Sequence, residues 1–165
     1  MSTVTAAFLG FVVVQRLAEL WLARRNTARL LARGAVEHGA GHYPAIVALH
    51  TAWIVALVAF GWDEAPRPGW LLAFAVLQIL RLWVLATLGP RWTTRIIVLD
   101  EPLVARGPFR LLPHPNYAVV MAEIAVAPMV LGLTWVAVVF SILNALLLGL
   151  VRIPAESRAL APLRR

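Results

Sequence analysis

Five stretches of the chain stay apolar for about the length of a membrane crossing: 4–23, 43–60, 69–88, 115–131 and 134–151, with polar residues gathered between them. A bilayer core asks for roughly 17–25 apolar residues in a helix. The last two stretches lie near the short end of that range, and all five are expected to cross. So little chain separates the fourth from the fifth, with Gly132 at the tip, that they must form an antiparallel hairpin. Pro128 lies inside the fourth stretch and is expected to kink it. Neither an internal repeat nor a low-complexity tract interrupts the pattern.

Composition agrees with the pattern. Hydrophobic residues make up 61% of the 165 positions, above the roughly 45–50% usual in soluble domains. The expected fold class is an all-α integral membrane protein of five transmembrane helices, forming one domain over residues 1–165. Cysteine is absent, which excludes disulfides and thiolate metal sites. The net charge of +7 comes wholly from Arg, since there is no Lys. In a membrane protein such a balance marks cytoplasmic loops and anionic headgroups, and no nucleic-acid partner is expected. The first apolar stretch carries Arg16 and Glu19 and no A-x-A-like site, so it reads as a retained helix and not as a signal peptide.

Arginine placement orients the helices. Arg24, Arg25, Arg29 and Arg33 follow the first stretch, Arg91, Arg95, Arg106 and Arg110 follow the third, and Arg152, Arg158, Arg164 and Arg165 form the tail. The connection between the second and third stretches holds Arg67 alone, offset by Asp63 and Glu64. The positive-inside rule then puts the N-terminus outside and both long loops and the C-terminus in the cytoplasm. Trp62 and Trp70 are expected in the outer interfacial belt, and Trp21 and Trp92 in the inner one.

Ionisable residues inside spans are costly and usually face a partner or a polar cavity. Arg16 and Glu19 share a helix face at i,i+3. Arg81 and Glu123 fall within the third and fourth stretches, His50 within the second and Asn144 within the fifth. Each alone reads as a satisfied core group. Together they suggest a polar interior open towards the cytosol.

The segment Gly107-Pro108-Phe109-Arg110-Leu111-Leu112-Pro113-His114-Pro115-Asn116-Tyr117 is the densest cluster of turn formers and chemistry-bearing residues. Its prolines hold the path extended. Pro115 suits the first position of the following helix, with His114 at the cap. Free N–H groups and a partial positive charge at such a helix start favour a carboxylate or phosphate. The alternative is a re-entry turn whose His only caps a helix. After the fifth stretch, Arg152 and Glu156 are i,i+4, but Pro154 between them is expected to break or bend the helix, so that the two address different groups.

Gly-Pro-Phe-Arg…His-Pro-Asn-Tyr opening a helix with Glu123, followed by a hairpin and Arg152-x-x-x-Glu156-x-x-x-Leu160, resembles the isoprenylcysteine carboxyl methyltransferase family, and more closely its compact bacterial branch. The motifs cover about 103–160. Arg16-Leu17-Ala18-Glu19-Leu20 and Glu37-His38-Gly39-Ala40-Gly41-His42-Tyr43-Pro44 extend the likeness across most of the chain. The resemblance implies S-adenosylmethionine bound on the cytosolic side by His114, Pro115, Tyr117 and Glu156, with Leu103 and Val104 near the adenosine. It implies Arg152 facing the substrate anion and an apolar passage admitting a lipidic substrate. The family usually has Arg immediately before the His, where this chain has Pro113. Arg110, three residues earlier, is the candidate replacement, and Arg152, Arg110 and Glu123 are the candidate catalytic residues.

Methyl transfer asks the protein to align nucleophile, methyl and leaving sulfur and to exclude water. A carboxylate or acidic enol arrives as an anion, whereas a phenol gains from a base. The expected activity is therefore S-adenosylmethionine-dependent O-methylation of a lipidic acceptor, either an alkylpyrone- or alkylresorcinol-type enol or phenol or an isoprenylcysteine-like carboxylate. The partners are a lipophilic or prenyl-type substrate and membrane lipid, in a bacterial inner membrane. The rivals are an NADPH-dependent membrane reductase and a non-enzymatic scaffold or small transporter. No Gly-rich dinucleotide loop is present. His38 and His42 are separated by glycines and suit a loop over the cofactor better than a metal site, and no metal is expected.

Overall fold

A computed structural model describes residues 2–163. Helix α1 spans Thr3–Ala32, α2 Tyr43–Gly61, α3 Pro68–Leu88, α4 Pro115–Val130, α5 Thr134–Leu146 and α6 Ile153–Leu160. A π-helical turn, Leu147–Arg152, joins the last two. Four helical stretches are long and apolar enough to cross a membrane: Thr3–Ala32, Ala40–Gly61, Pro68–Arg91 and Thr134–Leu163. The fifth, α4, is shorter. Its 16 residues rise only about 24 Å at 1.5 Å per residue, less than a bilayer core of ~30 Å.

Three local readings are corrected. The Arg-rich segment after residue 23 is not a loop, because α1 continues to Ala32. Its Ala, Leu and Arg are good helix formers, and no Gly or Pro occurs between residue 23 and Gly34. The helix then stops in a Schellman motif. Gly34 is at φ +88, its N–H bonds the Leu31 carbonyl at 3.0 Å, and Ala35 N–H bonds Leu30 at 3.1 Å. Secondly, the fold is not all helix: Val36–His38 (β1) pairs antiparallel with Ile96–Val98 (β2), Glu37 opposite Ile97. Strands of three residues carry too little alternation to show in a sequence. Thirdly, Pro154 does not break the helix. It falls at the start of α6, and the carbonyl its ring would strike, four residues back at Leu150, lies in the wider π turn.

The two ends of the bundle differ. At one end the α1 start, the 62–67 connection and the α4–α5 hairpin meet. Thr5 Oγ1 donates to Glu64 O at 2.8 Å, and Arg67 N–H donates to Val130 O at 2.7 Å. Gly132 is the expected tip, at φ +72, and a Cβ there would run into the Arg67 guanidinium. At the other end lie the sheet, residues 89–114 and α6. Glu101 pairs with both Arg33 and Arg91, and Arg95 pairs with Glu37 at 3.0 Å. The connections after α1 and α3 and the C-terminal helix therefore share one end. Arg164 and Arg165 of the tail lie outside the described residues.

The apolar core, including Phe8, Trp53, Leu57, Phe74, Ile124 and Val136, fills the bundle between α1 and α5. The outward faces are also apolar, with Leu72, Ile79, Leu82 and Leu150 each more than 60% exposed. Such surfaces suit acyl chains, not water.

Candidate active site

A cavity of about 570 Å³ opens at the sheet end and reaches into the bundle. At its outer part, Pro113 and Pro115 hold the chain so that His114 occupies the N-cap position of α4. Its φ and ψ are −135 and 63, and its side chain makes no capping bond. The ring instead stacks on Tyr117, with centroids 5.6 Å apart, and its Nδ1 stands 3.3 Å from Glu156 Oε2. One turn before Glu156, Arg152 Nε donates to the Tyr117 hydroxyl at 3.0 Å and Nη2 to the Thr94 carbonyl at 2.9 Å. Arg152 and Glu156 thus do address different groups, without a break in the helix.

Arg152 is 4% exposed, and its Nη1 is buried without a partner. Among the described residues it makes no ion pair. A buried cation bonded only to neutral oxygens, with a donor to spare, is a site for an anionic or oxygen-bearing ligand.

The inner end holds the in-span charges. Arg16 donates to Glu19 at 2.9 Å and to Glu123 at 2.8 Å. Arg81 donates twice to Glu19, at 2.8 and 2.6 Å, and lies 3.4 Å from Glu123. Gln15 Nε2 donates to Glu19 Oε1 and Gln78 Nε2 to Glu123 Oε1, at 3.1 Å each, and the Arg16 guanidinium lies 5.7 Å from the Trp53 ring centre. Two cations and two anions cancel, which makes the group tolerable inside a bundle. Arg16, Glu19 and Arg81 line the cavity, with His50.

His114, Tyr117, Arg152, Glu156, Leu103 and Val104 line this one cavity. Pro115 is buried at the head of α4 and does not line it. Arg110, in a short turn over Gly107–Arg110, is exposed and outside the cavity. Glu123 is wholly buried within the ion cluster and does not reach the cavity wall. Trp92 is 2% exposed and belongs to no belt. Its indole N–H reaches Asn116 Oδ1 at 3.3 Å, and its carbonyl accepts from Asn26 Nδ2 at 2.8 Å.

Sequence reading missed Thr94, whose carbonyl holds Arg152 and whose hydroxyl lies 2.9 Å from that of Tyr43. It also missed Asn26, which fastens the 89–92 turn to α1. A lone Asn in an otherwise Arg- and Leu-rich helix was the available signal for Asn26. Thr94 gave none, since its contribution is mainly a backbone carbonyl.

A bundle of membrane-length helices with a largely apolar cavity that carries a few polar groups defines an integral membrane protein with a candidate ligand site. The chain belongs to the isoprenylcysteine carboxyl methyltransferase (ICMT) family, whose model matches residues 70–162, and so to a family of methyltransferases. It is also similar to the uncharacterized protein YpbQ of Bacillus subtilis (strain 168), with 40% identity over 158 residues, 92% of this chain and 94% of that protein. No solved structure matches the chain.

The residues lining the outer part of the cavity are compatible with S-adenosylmethionine, the cofactor that the family implies. The cavity as a whole, at about 570 Å³, is within the ordinary range of small-molecule sites. The Glu156 carboxylate offers acceptor oxygens for an ammonium or hydroxyl groups, and Leu103, Val104 and Leu160 supply an apolar wall.

Proposed function

We propose that the protein is an S-adenosylmethionine-dependent O-methyltransferase of long-chain amphiphiles, with its site facing the cytoplasm of a bacterial inner membrane. The observation that carries this reading is the gathering of His114, Tyr117, Arg152 and Glu156, from two separate motifs, around one cavity whose deeper part lies among membrane helices. The cofactor supplies an electrophilic sulfonium methyl. Glu156 would accept from its ammonium or ribose hydroxyls, oriented by His114. The positive end of the α4 dipole would favour its carboxylate, and Leu103 and Val104 would face the adenosine. Arg152 would hold the acceptor oxygen. The acceptor's alkyl chain would lie between helices, gaining about 0.8 kcal/mol per buried CH₂. An alkylpyrone- or alkylresorcinol-type acceptor suits such a passage, and an isoprenylcysteine-like carboxylate is the competing one.

Purified protein is expected to bind S-adenosylmethionine and not NADPH. Membranes containing it are expected to transfer labelled methyl to an alkylpyrone or an alkylresorcinol. Transfer to a farnesylcysteine analogue alone would overturn the acceptor and leave the methyltransferase, whereas NADPH binding alone would overturn the reading altogether. His114→Ala and Glu156→Gln each remove a polar contact worth roughly 1.5–3 kcal/mol when one partner is charged. Each variant is expected to bind the cofactor about tenfold or more weakly in a calorimetric titration, while eluting as wild type. For orientation, a reporter at Pro66 is expected outside and one fused after Arg165 inside. The reverse pattern would place the site on the outer face.

A further inference from the structure

The inner cavity carries one more polar side chain that neither the ion cluster nor the cofactor end uses. His50 lies seven residues into α2, about two turns below Tyr43. Its Nδ1 is 2.9 Å from the Ile46 carbonyl. A carbonyl only accepts, so Nδ1 carries the hydrogen, and the neutral ring presents a bare lone pair at Nε2. Among the described residues Nε2 has no hydrogen-bond partner, and the residue lines the cavity. The charged groups facing it are Arg16 of α1, Arg81 of α3 and Glu123 of α4, within the cluster whose charges cancel.

The carboxylates lining the cavity stand in ion pairs, Glu19 with Arg16 and Arg81 and Glu101 with Arg33 and Arg91, or, for Glu156, beside His114 at the cofactor end. A histidine kept for packing alone is a poor choice here, since an apolar side chain would cost less within a membrane helix. The geometry fits a fixed-tautomer proton acceptor lining the same cavity as Arg152.

We propose that His50 is the general base for the acceptor, which on the methyl-transfer reading above makes the acceptor a hydroxyl compound of the phenol or weakly acidic enol class and not a carboxylate. Nε2 takes the hydroxyl proton as the oxygen's electron pair forms the bond to the transferred methyl. The methyl–sulfur bond breaks with its pair left on a neutral thioether. The sulfonium's positive charge is thereby replaced by that of the imidazolium, which returns its proton to water at the cavity mouth. A carboxylate has no proton to give, and His50 would have no role with it.

The test uses the full-length protein in lipid nanodiscs and a long-chain alkyl-nitrophenol, whose phenolate absorbs visible light. His50→Asn keeps a donor for the Ile46 carbonyl and removes Nε2, and His50→Gln is the second variant should the first misfold. In the absence of any methyl donor, the nitrophenol bound to wild type is expected to ionise about one pH unit lower than in the variant, about tenfold in the ionisation equilibrium. With the donor present, methylation of an alkylresorcinol is expected to fall about a hundredfold or more in the variant, with S-adenosylmethionine binding unchanged. Equal ionisation in wild type and variant, or no binding of the nitrophenol to wild type, overturns the proposal. Loss of S-adenosylmethionine binding by the wild type would instead overturn the methyl-transfer reading, while the donor-free spectral shift still reports on His50.

Discussion

Glu123→Leu is expected to lower the stability of the folded bundle by about 3–5 kcal/mol, the usual cost of stripping one member from a buried charged group. Glu123 is wholly buried, and its carboxylate receives Arg16 at 2.8 Å and Gln78 at 3.1 Å, with Arg81 at 3.4 Å. Without it, Glu19 alone must balance two guanidinium groups in a setting with little water. The measurement is thermal unfolding in a fixed detergent or nanodisc. Glu123→Leu combined with Arg81→Met removes one charge of each sign and leaves the Arg16–Glu19 pair intact. That double variant is expected to recover most of the loss. A Glu123→Leu protein that unfolds like wild type yet transfers no methyl would move Glu123 from the scaffold into the chemistry.

The largest effect on activity is expected at Arg152. Arg152→Ala should reduce methyl transfer by about 10²–10³-fold, the range found when one preorganised donor is taken from a reaction centre. Arg152 joins three parts of the molecule: the π turn that carries it, Tyr117 of α4 and the Thr94 carbonyl beside β2. Part of the loss would therefore be positional. Tyr117→Phe separates the two contributions, because it removes the 3.0 Å bond to Arg152 Nε and leaves the guanidinium in place. It is expected to cost far less than Arg152→Ala. Arg152→Lys is not expected to rescue, since an ammonium cannot span Thr94, Tyr117 and a ligand with one planar fork. Equal rates for Arg152→Ala and wild type would remove Arg152 from the site.

Much of this arrangement was legible in the sequence because lipid simplifies the reading. Apolar runs marked α2, α3 and α4 to within a residue or so, the run 134–151 covered α5 together with most of the π turn after it, and Gly132 announced the hairpin. Arg16, Glu19, Arg81 and Glu123 each demanded a partner, although nothing in the order of residues said that all four would meet. Motif spacing brought His114, Tyr117, Arg152 and Glu156 to one cavity. The remainder depends on contacts between distant segments. The β1–β2 pairing joins residues about sixty positions apart, and Trp92 was claimed by Asn26 and Asn116 where lipid headgroups were expected to receive it. Arg110 was placed by its distance along the chain from His114, but the short turn it ends leaves it at the surface.

The buried ion cluster also bears on how the chain enters a membrane as it is made. Helix α1 precedes the others and carries Arg16 and Glu19 together within its apolar part, so that pair is already neutral when it meets lipid, while Arg24, Arg25 and Arg29 lie beyond it at the far end of the helix. Helix α3 brings Arg81 alone and α4 brings Glu123 alone, and a solitary charge is costly in hydrocarbon. Arg81 finds its carboxylate in Glu19, delivered two helices earlier, and the excess cation is then cancelled when Glu123 arrives. Each newcomer meets a counter-charge left by its predecessors, which ties the order of synthesis to the order in which the helices can settle.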